Sequence, residues 1–510
     1  MAVNQLKAGA ALNYVVLGLN TLLGLIYTPF MLRMLGQGEY GIYSLAASVI
    51  AYLSMLDLGF GNAVIRYTAK YRAEGKVDEQ YSLFGMFTML YYAIGLITLL
   101  VGIVLYSNVE AIFGEALSVV ELSRTKVIIL LMVINLAATF PLSIYGAIIT
   151  AYEDFIFLRV VQILKTILST GIMIALLCFG YKAIAMVVIQ TAFNFIVLGL
   201  NYFYCKNRIH IEIHYKKIEK SLLLEIIVYS FWIFLNVIME RIYWSTGQFV
   251  LGAVSGTVAV SVFAVAIMLQ QMYMMFSTAI SGVFLPRITS MVVKEVDMKE
   301  VSDLFIRTGR IQYIIISLVI SGFIVIGKQF IYYWAGDEYS DAFIITLIFF
   351  VSLLAPLIQN LGISILQARN QMKFRSILYI SIALVSLALQ IPLSKLYGGI
   401  GCALAIGGAL VIGQGVIMNI FYQRKQNIDI LGFWKEIIKM SIVPVTVTIL
   451  FLCLKHLFDI DSIFDLLIFT VSFMAVYIPL AWHFVLTDNE RRLFAFPVLA
   501  IVSKVRRKND

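Results

Sequence analysis

Charge is scarce in this chain. Of its 510 residues only 13% are Asp, Glu, Lys or Arg, 61% are hydrophobic, and the mean hydropathy is +0.93. Ordinary soluble domains carry about 25% charged and roughly 45–50% apolar residues. There is too little polar surface here to coat a particle in water, and lipid is the natural solvent. Cysteine and histidine are scarce too. Cys178, Cys205, Cys402 and Cys453 have neither disulfide nor metal-ligand spacing. His456 and His483 stand near the ends of apolar runs, and each reads as an interface residue. His210 and His214 lie in the basic stretch HIEIH, whose alternation puts them with Glu212 on one face of a strand. Two histidines and one acid in a basic loop read as solvated, so no metal is expected. No P-loop Gly-Lys-Ser/Thr pattern is present, which excludes an ATP motor in this chain. No cleavable secretion signal is expected, because the first apolar run is long and has no small-residue cleavage site after it. No cofactor is expected.

Long apolar runs are what the chain does have. A membrane span takes about 20 apolar residues. Fourteen such runs are read at 11–33, 41–63, 82–106, 126–149, 156–179, 183–204, 223–247, 256–285, 306–328, 341–366, 376–397, 400–422, 438–456 and 462–485. Uninterrupted runs of this length, rather than ten-residue alternations, point to helices and away from a β-barrel. The expected fold class is an all-α polytopic membrane protein of about 14 transmembrane helices.

The basic residues orient it. With the N-terminus in the cytoplasm, 28 of the 38 Lys and Arg fall on the inner side and seven on the outer side. Lys165, Arg241 and Arg310 lie deeper in spans. That asymmetry places both termini in the cytoplasm. Arg66, Lys70, Arg72 and Lys76, at the end of the second run, are first of all an inner anchor. Nucleic acid is excluded as a partner, because the basic loops are short and interleaved with spans. Anionic membrane lipid is the partner such loops suit.

The chain also resembles itself at a long offset. Gly36 matches Gly256, Tyr43 Phe263, Arg66 Arg287, Pro141 Pro356, Gly146 Gly362, Arg159 Arg375, Gly180 Gly398, Tyr204 Tyr422 and Lys206 Arg424. The matches are colinear and fall at equivalent topological places. The expected organisation is a six-helix bundle over 1–204, a cytoplasmic linker over 205–222 and a second six-helix bundle over 223–422. Two additional spans follow over 423–485, then a basic cytoplasmic tail over 486–510. Six spans per repeat leave both halves facing the same way, related by an axis along the membrane normal. Alternating-access transporters are built so. A single-file channel needs no such pair of lobes, and an ancient duplication whose function has drifted would look the same.

Polar residues inside spans mark the candidate site. A charge there costs about 2.5–3.5 kcal/mol on insertion scales and is expected to face a cavity or a partner. Asp57 and Lys165 are two such residues, and Glu240 and Arg241 are adjacent in the seventh span. Asn, Gln and Ser in spans also serve as ordinary glue between helices. Asp57 and Glu240 either hold the cations in place or carry protons.

Four stretches, KAGAALNY (7–14), YTPFMLRMLGQGEYGIYSL (27–45), LDLGFGNAVIRYTAKYR (56–72) and FVLGAVSGTVAVSVFAVA (249–266), have a family texture. Over nearly its whole length the chain resembles bacterial polysaccharide transporters of the O-antigen flippase type, in the multidrug/oligosaccharidyl-lipid/polysaccharide (MOP) exporter superfamily. The resemblance implies a pair of six-helix bundles. It also implies movement of an undecaprenyl-pyrophosphate-linked oligosaccharide from the cytoplasmic to the outer leaflet of the bacterial cytoplasmic membrane, for surface polysaccharide biosynthesis. No enzymatic activity is implied, and other polysaccharide-assembly proteins are the natural partners. In such proteins cationic residues of the central cavity engage the diphosphate and sugar. By position the candidates here are Arg66, Arg159, Lys165, Arg241 and Arg287. Relatives often carry an acid just before the position of Gln248, where this chain has Gly247, so an ion site at that place is in doubt.

Three rival readings stay open on residues alone. A multidrug or small-solute antiporter on the same fold would favour acidic and aromatic cavity residues over cations. A membrane glycan polymerase or ligase would need a large outer loop with Arg or His pairs, and the longest outer loop here is about 107–125, short and acidic. A cell-wall regulator on the same scaffold, with no transport of its own, would leave no mark in the sequence.

Overall fold

In lipid a backbone N–H or C=O has no water to bond, so an apolar chain of this length satisfies its backbone within helices. The computed structural model describes residues 5–492 apart from 216–219, 282–287, 289, 292–293, 295, 370 and 459, and no strand occurs among them. Among the described residues, eleven helices are long and apolar enough to cross a membrane. There are twelve if Ala342–Ile358 and Leu361–Ala368, which meet at 43°, form one span.

That number falls short of the expected fourteen, for two reasons. Lys373–Lys425 is a helical run of 53 residues. At 1.5 Å per residue it is roughly 80 Å long, more than twice the hydrocarbon core of about 30 Å. Gly398, at φ 56° and ψ −135°, breaks it between two expected spans. The helix Lys220–Trp244 is the other case, since several of its side chains lie outside the described residues.

Packing divides the chain into two compact units. The first comprises Met1–Val265 with Ala383–Ala405. It holds α1 (Gln5–Leu35), α2 (Gln37–Leu53), α3 (Phe60–Ala73), α4 (Val77–Phe113), α5 (Val119–Ala151), α6 (Phe155–Cys178), α7 (Ala183–Tyr204), α8 (Lys220–Trp244), α9 (Thr246–Val254) and the first turns of α10 (Gly256–Ser281). An aromatic core joins α3, α4 and α5. Tyr91 stacks on Phe140 at 6.5 Å, and the Phe60 ring meets Phe87 and Tyr91 edge to face at 6.0 and 6.3 Å. All four rings are buried. Such pairs add about 0.5–1.5 kcal/mol each beyond the area they bury.

The loop after α7 lies against α4 rather than forming a strand. His210 takes a positive φ, the His214 N–H donates to the Tyr81 carbonyl at 3.1 Å, and His214 Nε2 pairs with Glu212 at 3.1 Å. A Cβ on Gly85 would stand 2.2 Å from the His214 carbonyl oxygen, so only glycine admits this approach. No group of three His, Cys, Asp or Glu able to hold a metal occurs among the described residues.

At the far end of this unit, Ser118 and Glu121 form a capping box at the start of α5. Glu121 also accepts a hydrogen bond from the Thr257 hydroxyl at 2.5 Å. Glu39 on α2 pairs with Arg124 and accepts the Ala183 N–H at 3.2 Å.

The second unit comprises Ala266–Ile382 with Ile406–Asp510. It holds the rest of α10, then α11 (Met298–Trp334), α12 (Ala342–Ile358), α13 (Leu361–Ala368), both ends of α14 (Lys373–Leu410), α15 (Met418–Lys425), α16 (Ile430–Lys455) and α17 (Ile463–Leu480). The two additional helices, α16 and α17, dock on α11. Phe451, Phe473 and Tyr477 pack with Val325, and the Ser317 and Tyr477 hydroxyls share a hydrogen bond of 2.9 Å.

The same docking is fixed by charge. Arg310 on α11 spans two carboxylates. Its Nε and Nη2 donate to the two oxygens of Glu490 at 2.8 and 3.0 Å, and its Nη1 donates to Glu436 on α16 at 2.8 Å. Glu490 is only 2% exposed and also accepts the Thr487 N–H. Burial pushes the pKa of Glu490 up, but the Arg310 and Thr487 hydrogen bonds pull it down further, so it stays below the ordinary carboxylate value.

A depressed folded pKa makes this contact complete above the unfolded value of about 4.3 and lost as pH falls through the folded value. Arg310→Ala leaves Glu490 buried without its cation and is expected to cost about 3–5 kcal/mol. Thermal unfolding of the purified protein in detergent at neutral pH should show a lower midpoint, and the gap to wild type should narrow below about pH 4. An unchanged midpoint at neutral pH would show that the docking does not depend on this pair.

Candidate functional site

The acid in the second apolar run sits at a break in the helix. After Leu53 the chain passes through a 3-10 turn, Ser54–Asp57. Leu58 and Gly59 then take left-handed φ values of 52° and 75° before α3 begins. The Asp57 carboxylate faces the Tyr91 hydroxyl and the backbone N–H groups of Gly59 and Gly61. An acid aimed at the first N–H groups of a helix is favoured by the helix dipole, and here it also serves backbone donors that the break frees inside a span. The break and the aromatic core therefore meet at one residue, Tyr91.

The expected cations lie on three helices of the first unit. On α3, Arg66 is exposed and lies 5.8 Å from the ring centre of Tyr67. The Tyr67 hydroxyl donates to Glu225 on α8 at 2.9 Å, so α3 and α8 are neighbours. Farther along α3, Arg72 stacks over Tyr152 at 4.4 Å and donates to the Ala151 carbonyl, while Lys76 pairs with Glu74 at 2.7 Å.

On α6, Arg159 donates to Gln162 at 3.0 Å. Lys165 lies half-buried about 9 Å farther along the axis. The start of α6 is pressed against α1, where a Cβ on Gly9 would stand 2.5 Å from that of Phe155 and Gln5 accepts the Ile156 N–H. On α8, Glu240 is exposed and Arg241 half-buried. No hydrogen bond or ion pair joins Arg159, Lys165 and Arg241 to one another among the described residues. Arg287 lies outside the described residues.

Lys165, Arg241 and Arg310 look alike in the sequence, as three cations deep in spans. The structure separates them. Arg310 is satisfied by Glu436 and Glu490, whereas Lys165 and Arg241 have no carboxylate partner among the described residues. The signal for the difference was present: Glu436 enters the thirteenth span and Glu490 follows the fourteenth. Their meeting on one arginine of α11 is a tertiary event.

Gly247 on α9 is closed off by its surroundings. A Cβ there would stand 2.7 Å from two atoms of the Phe263 ring and 3.1 Å from Cys402 Sγ. The position has no volume for a carboxylate. Beside it α2 meets α9 and α10 at short range. The Tyr52 hydroxyl bonds that of Thr246, a Cβ on Gly252 would overlap Leu45, and one on Gly41 would stand 2.0 Å from the Thr257 carbonyl oxygen.

Helical spans broken by glycine turns, with cations and an acid inside them, define a polytopic membrane protein. Solved structures share its fold. The lipid II flippase MurJ in an inward closed conformation superposes with a TM-score of 0.71 at 17% identity, over 96% of this chain and 99% of that one. An inward-facing multidrug resistance MATE family transporter of the MOP superfamily gives 0.60 at 13% identity, over 81% and 99%. A MOP superfamily transporter from Pyrococcus furiosus, described as having a binding pocket of reversed polarity, gives 0.53 at 13% identity, over 84% and 94%. Compared with curated proteins, the chain matches none. Residues 6–292 match the polysaccharide biosynthesis protein family, and the chain belongs to that family.

Gly247→Asp tests the closed position. Overpacking costs about 1–3 kcal/mol, and a buried carboxylate without a partner adds to it. The expected result is a lower unfolding midpoint and less folded protein in the membrane. Normal stability and abundance would mean that Phe263 and Cys402 yield and that the site is open to an acid.

Proposed function

We propose that this chain is a flippase that carries an undecaprenyl-pyrophosphate-linked oligosaccharide across the bacterial cytoplasmic membrane by alternating access, for surface polysaccharide such as O-antigen. Both termini are cytoplasmic in this reading, as the distribution of Lys and Arg requires. One observation carries it. Lys165 and Arg241 are half-buried in an apolar helical unit with no carboxylate partner among the described residues, while the other deep cation, Arg310, has two. A cation in a span needs an anion or water, and a lipid diphosphate is a dense anion that crosses at that depth. Arg66 and Arg287 stand at equivalent places in the sequence repeat, and in this reading they carry charge of the same sign for the same cargo. Membership of the polysaccharide biosynthesis family and the MurJ-like fold support the lipid-linked class of cargo.

The backbone supports two related halves. Gly36 and Gly256, matched in the sequence, have φ 78° and 83°, and Gly180 and Gly398 have 84° and 56°. Alternating access then needs α2 to part from α9 and α10, and Gly41 and Gly252 are where their contact is closest. Asp57 holds the break that ends α2.

The charge hypothesis is read by surface glycan in a strain lacking its own flippase, with membrane abundance measured alongside. Charge-assisted hydrogen bonds from Arg or Lys contribute about 1.5–3 kcal/mol each. Alanine at Arg66, Lys165, Arg241 or Arg287 is therefore expected to weaken export by roughly 10- to 150-fold at normal abundance. Arg→Lys should restore only part, because the guanidinium fork is lost. Normal export by the combined alanine variant would end the cationic-cavity mechanism.

A second experiment reads the motion. Gly41→Leu should wedge α2 away from α10 and raise thiol labelling of a Thr257→Cys reporter. Unchanged labelling together with normal export would show that this contact is not a gate.

A further inference from the structure

A groove on the second unit has the composition of a lipid site, and it uses none of the candidate cations above. It runs between the first turns of α14 and the helix α15, with a volume of about 760 Å³, within the range of about 300–1,000 Å³ usual for ligand pockets. Its wall is apolar: Phe374, Ile377, Ile417, Ile420 and Phe421. Phe374 and Phe421 stack at 4.1 Å with their planes 9° apart, which fixes the floor. Along one end stand Lys373, Arg424 and Lys425, all exposed.

These three cations have no hydrogen-bond or ion-pair partner among the described residues. The groups around them are already committed. Gln426 is buried, donates to Gln371 at 2.7 Å and accepts from Arg369 at 3.0 Å. The carboxylate nearest in sequence, Asp429, caps α16 through the Gly432 N–H at 2.8 Å. From residue 342 to residue 428 the chain contains no Asp or Glu at all, and no carboxylate lines the groove.

Spacing along the helices sets the shape of the ligand. Lys373 precedes Ile377 by four residues, and Arg424 follows Phe421 by three. Each cation therefore stands about one turn, roughly 5 Å, from the apolar wall. An occupant must carry negative charge on one side and hydrocarbon about one helical turn away. A free phosphate would leave the stacked aromatic floor uncovered, and a neutral lipid would leave three cations unmatched.

We propose that this groove binds an anionic phospholipid of the surrounding bilayer, with the phosphate against Lys373, Arg424 and Lys425 and the acyl chains along Phe374, Ile377, Ile420 and Phe421. Basic residues at the membrane surface each favour anionic lipid by an increment that, taken three times, is on the order of 100-fold. The inference does not rest on the proposed transport. It concerns a resident lipid, and it stands or falls on binding alone.

The test uses the full-length protein in nanodiscs containing a photoactivatable phosphatidylglycerol, with attachment sites mapped by peptide mass spectrometry. Attachment is expected within residues 371–377 and 417–426. Unlabelled phosphatidylglycerol should suppress it, and phosphatidylcholine or millimolar inorganic phosphate should not. The Lys373→Gln, Arg424→Gln, Lys425→Gln variant should lose attachment there by on the order of 100-fold. The variant with Lys373→Arg, Arg424→Lys and Lys425→Arg should keep it. Attachment spread evenly over other apolar faces, equal competition by phosphatidylcholine, or suppression by inorganic phosphate would each overturn the proposal. The wild-type map decides the matter even if the glutamine variant fails to accumulate.

Discussion

An ionised side chain held among hydrocarbon has to be answered by an opposite charge, by water or by a cluster of dipoles, and the cost of leaving it unanswered exceeds most other single terms in a helical membrane protein. This chain answers its internal charges in different ways. Arg310 takes two carboxylates and a backbone carbonyl, and in doing so pins α11, α16 and the segment after α17 together. Asp57 stands at a helix break, near a hydroxyl and two backbone N–H groups. Lys165 and Arg241 have no such protein partner among the described residues. The first two arrangements are structural. The third is what a carrier of anionic cargo requires, because a cation already paired within the protein would have to give up its partner before it could bind anything else.

The helix breaks matter for the same reason. A straight span offers its side chains but keeps its backbone donors to itself. Where α2 gives way to α3 through a 3-10 turn and two left-handed residues, donors are released inside the apolar zone beside Asp57. Gly398 divides a run far too long for one crossing. Gly41, Gly85 and Gly252 serve a different purpose, since each lets one segment approach another more closely than any Cβ would allow.

The same accounting distinguishes the two basic regions of the molecule. In the first unit, the candidate cations Arg66, Arg159, Lys165 and Arg241 are spread over α3, α6 and α8. In the second unit, Lys373, Arg424 and Lys425 stand together over a stacked aromatic floor with no acid nearby. A compact set beside an apolar groove fits an amphipathic molecule that stays.

Helical class, membrane setting and family texture were legible in the amino-acid order because they depend on local quantities: the length of an apolar run, the spacing of Lys and Arg, and short stretches such as residues 56–72. Of the glycines matched in the sequence at a long offset, Gly36 and Gly256, and Gly180 and Gly398, take a positive φ. The bends within the helical runs were less legible. A glycine inside a continuous helix and a pair of short helices meeting at 43° depend on how the backbone bends against its neighbours. The fate of each internal charge was not legible at all. Arg310 and Glu490 are 180 residues apart, and Gly247 is closed by Phe263 and by Cys402 from distant helices. By itself the sequence determined that this protein is a bundle of membrane helices carrying a few costly charges. Which of those charges are matched within the protein was decided only by tertiary structure, because pairing depends on which helices become neighbours.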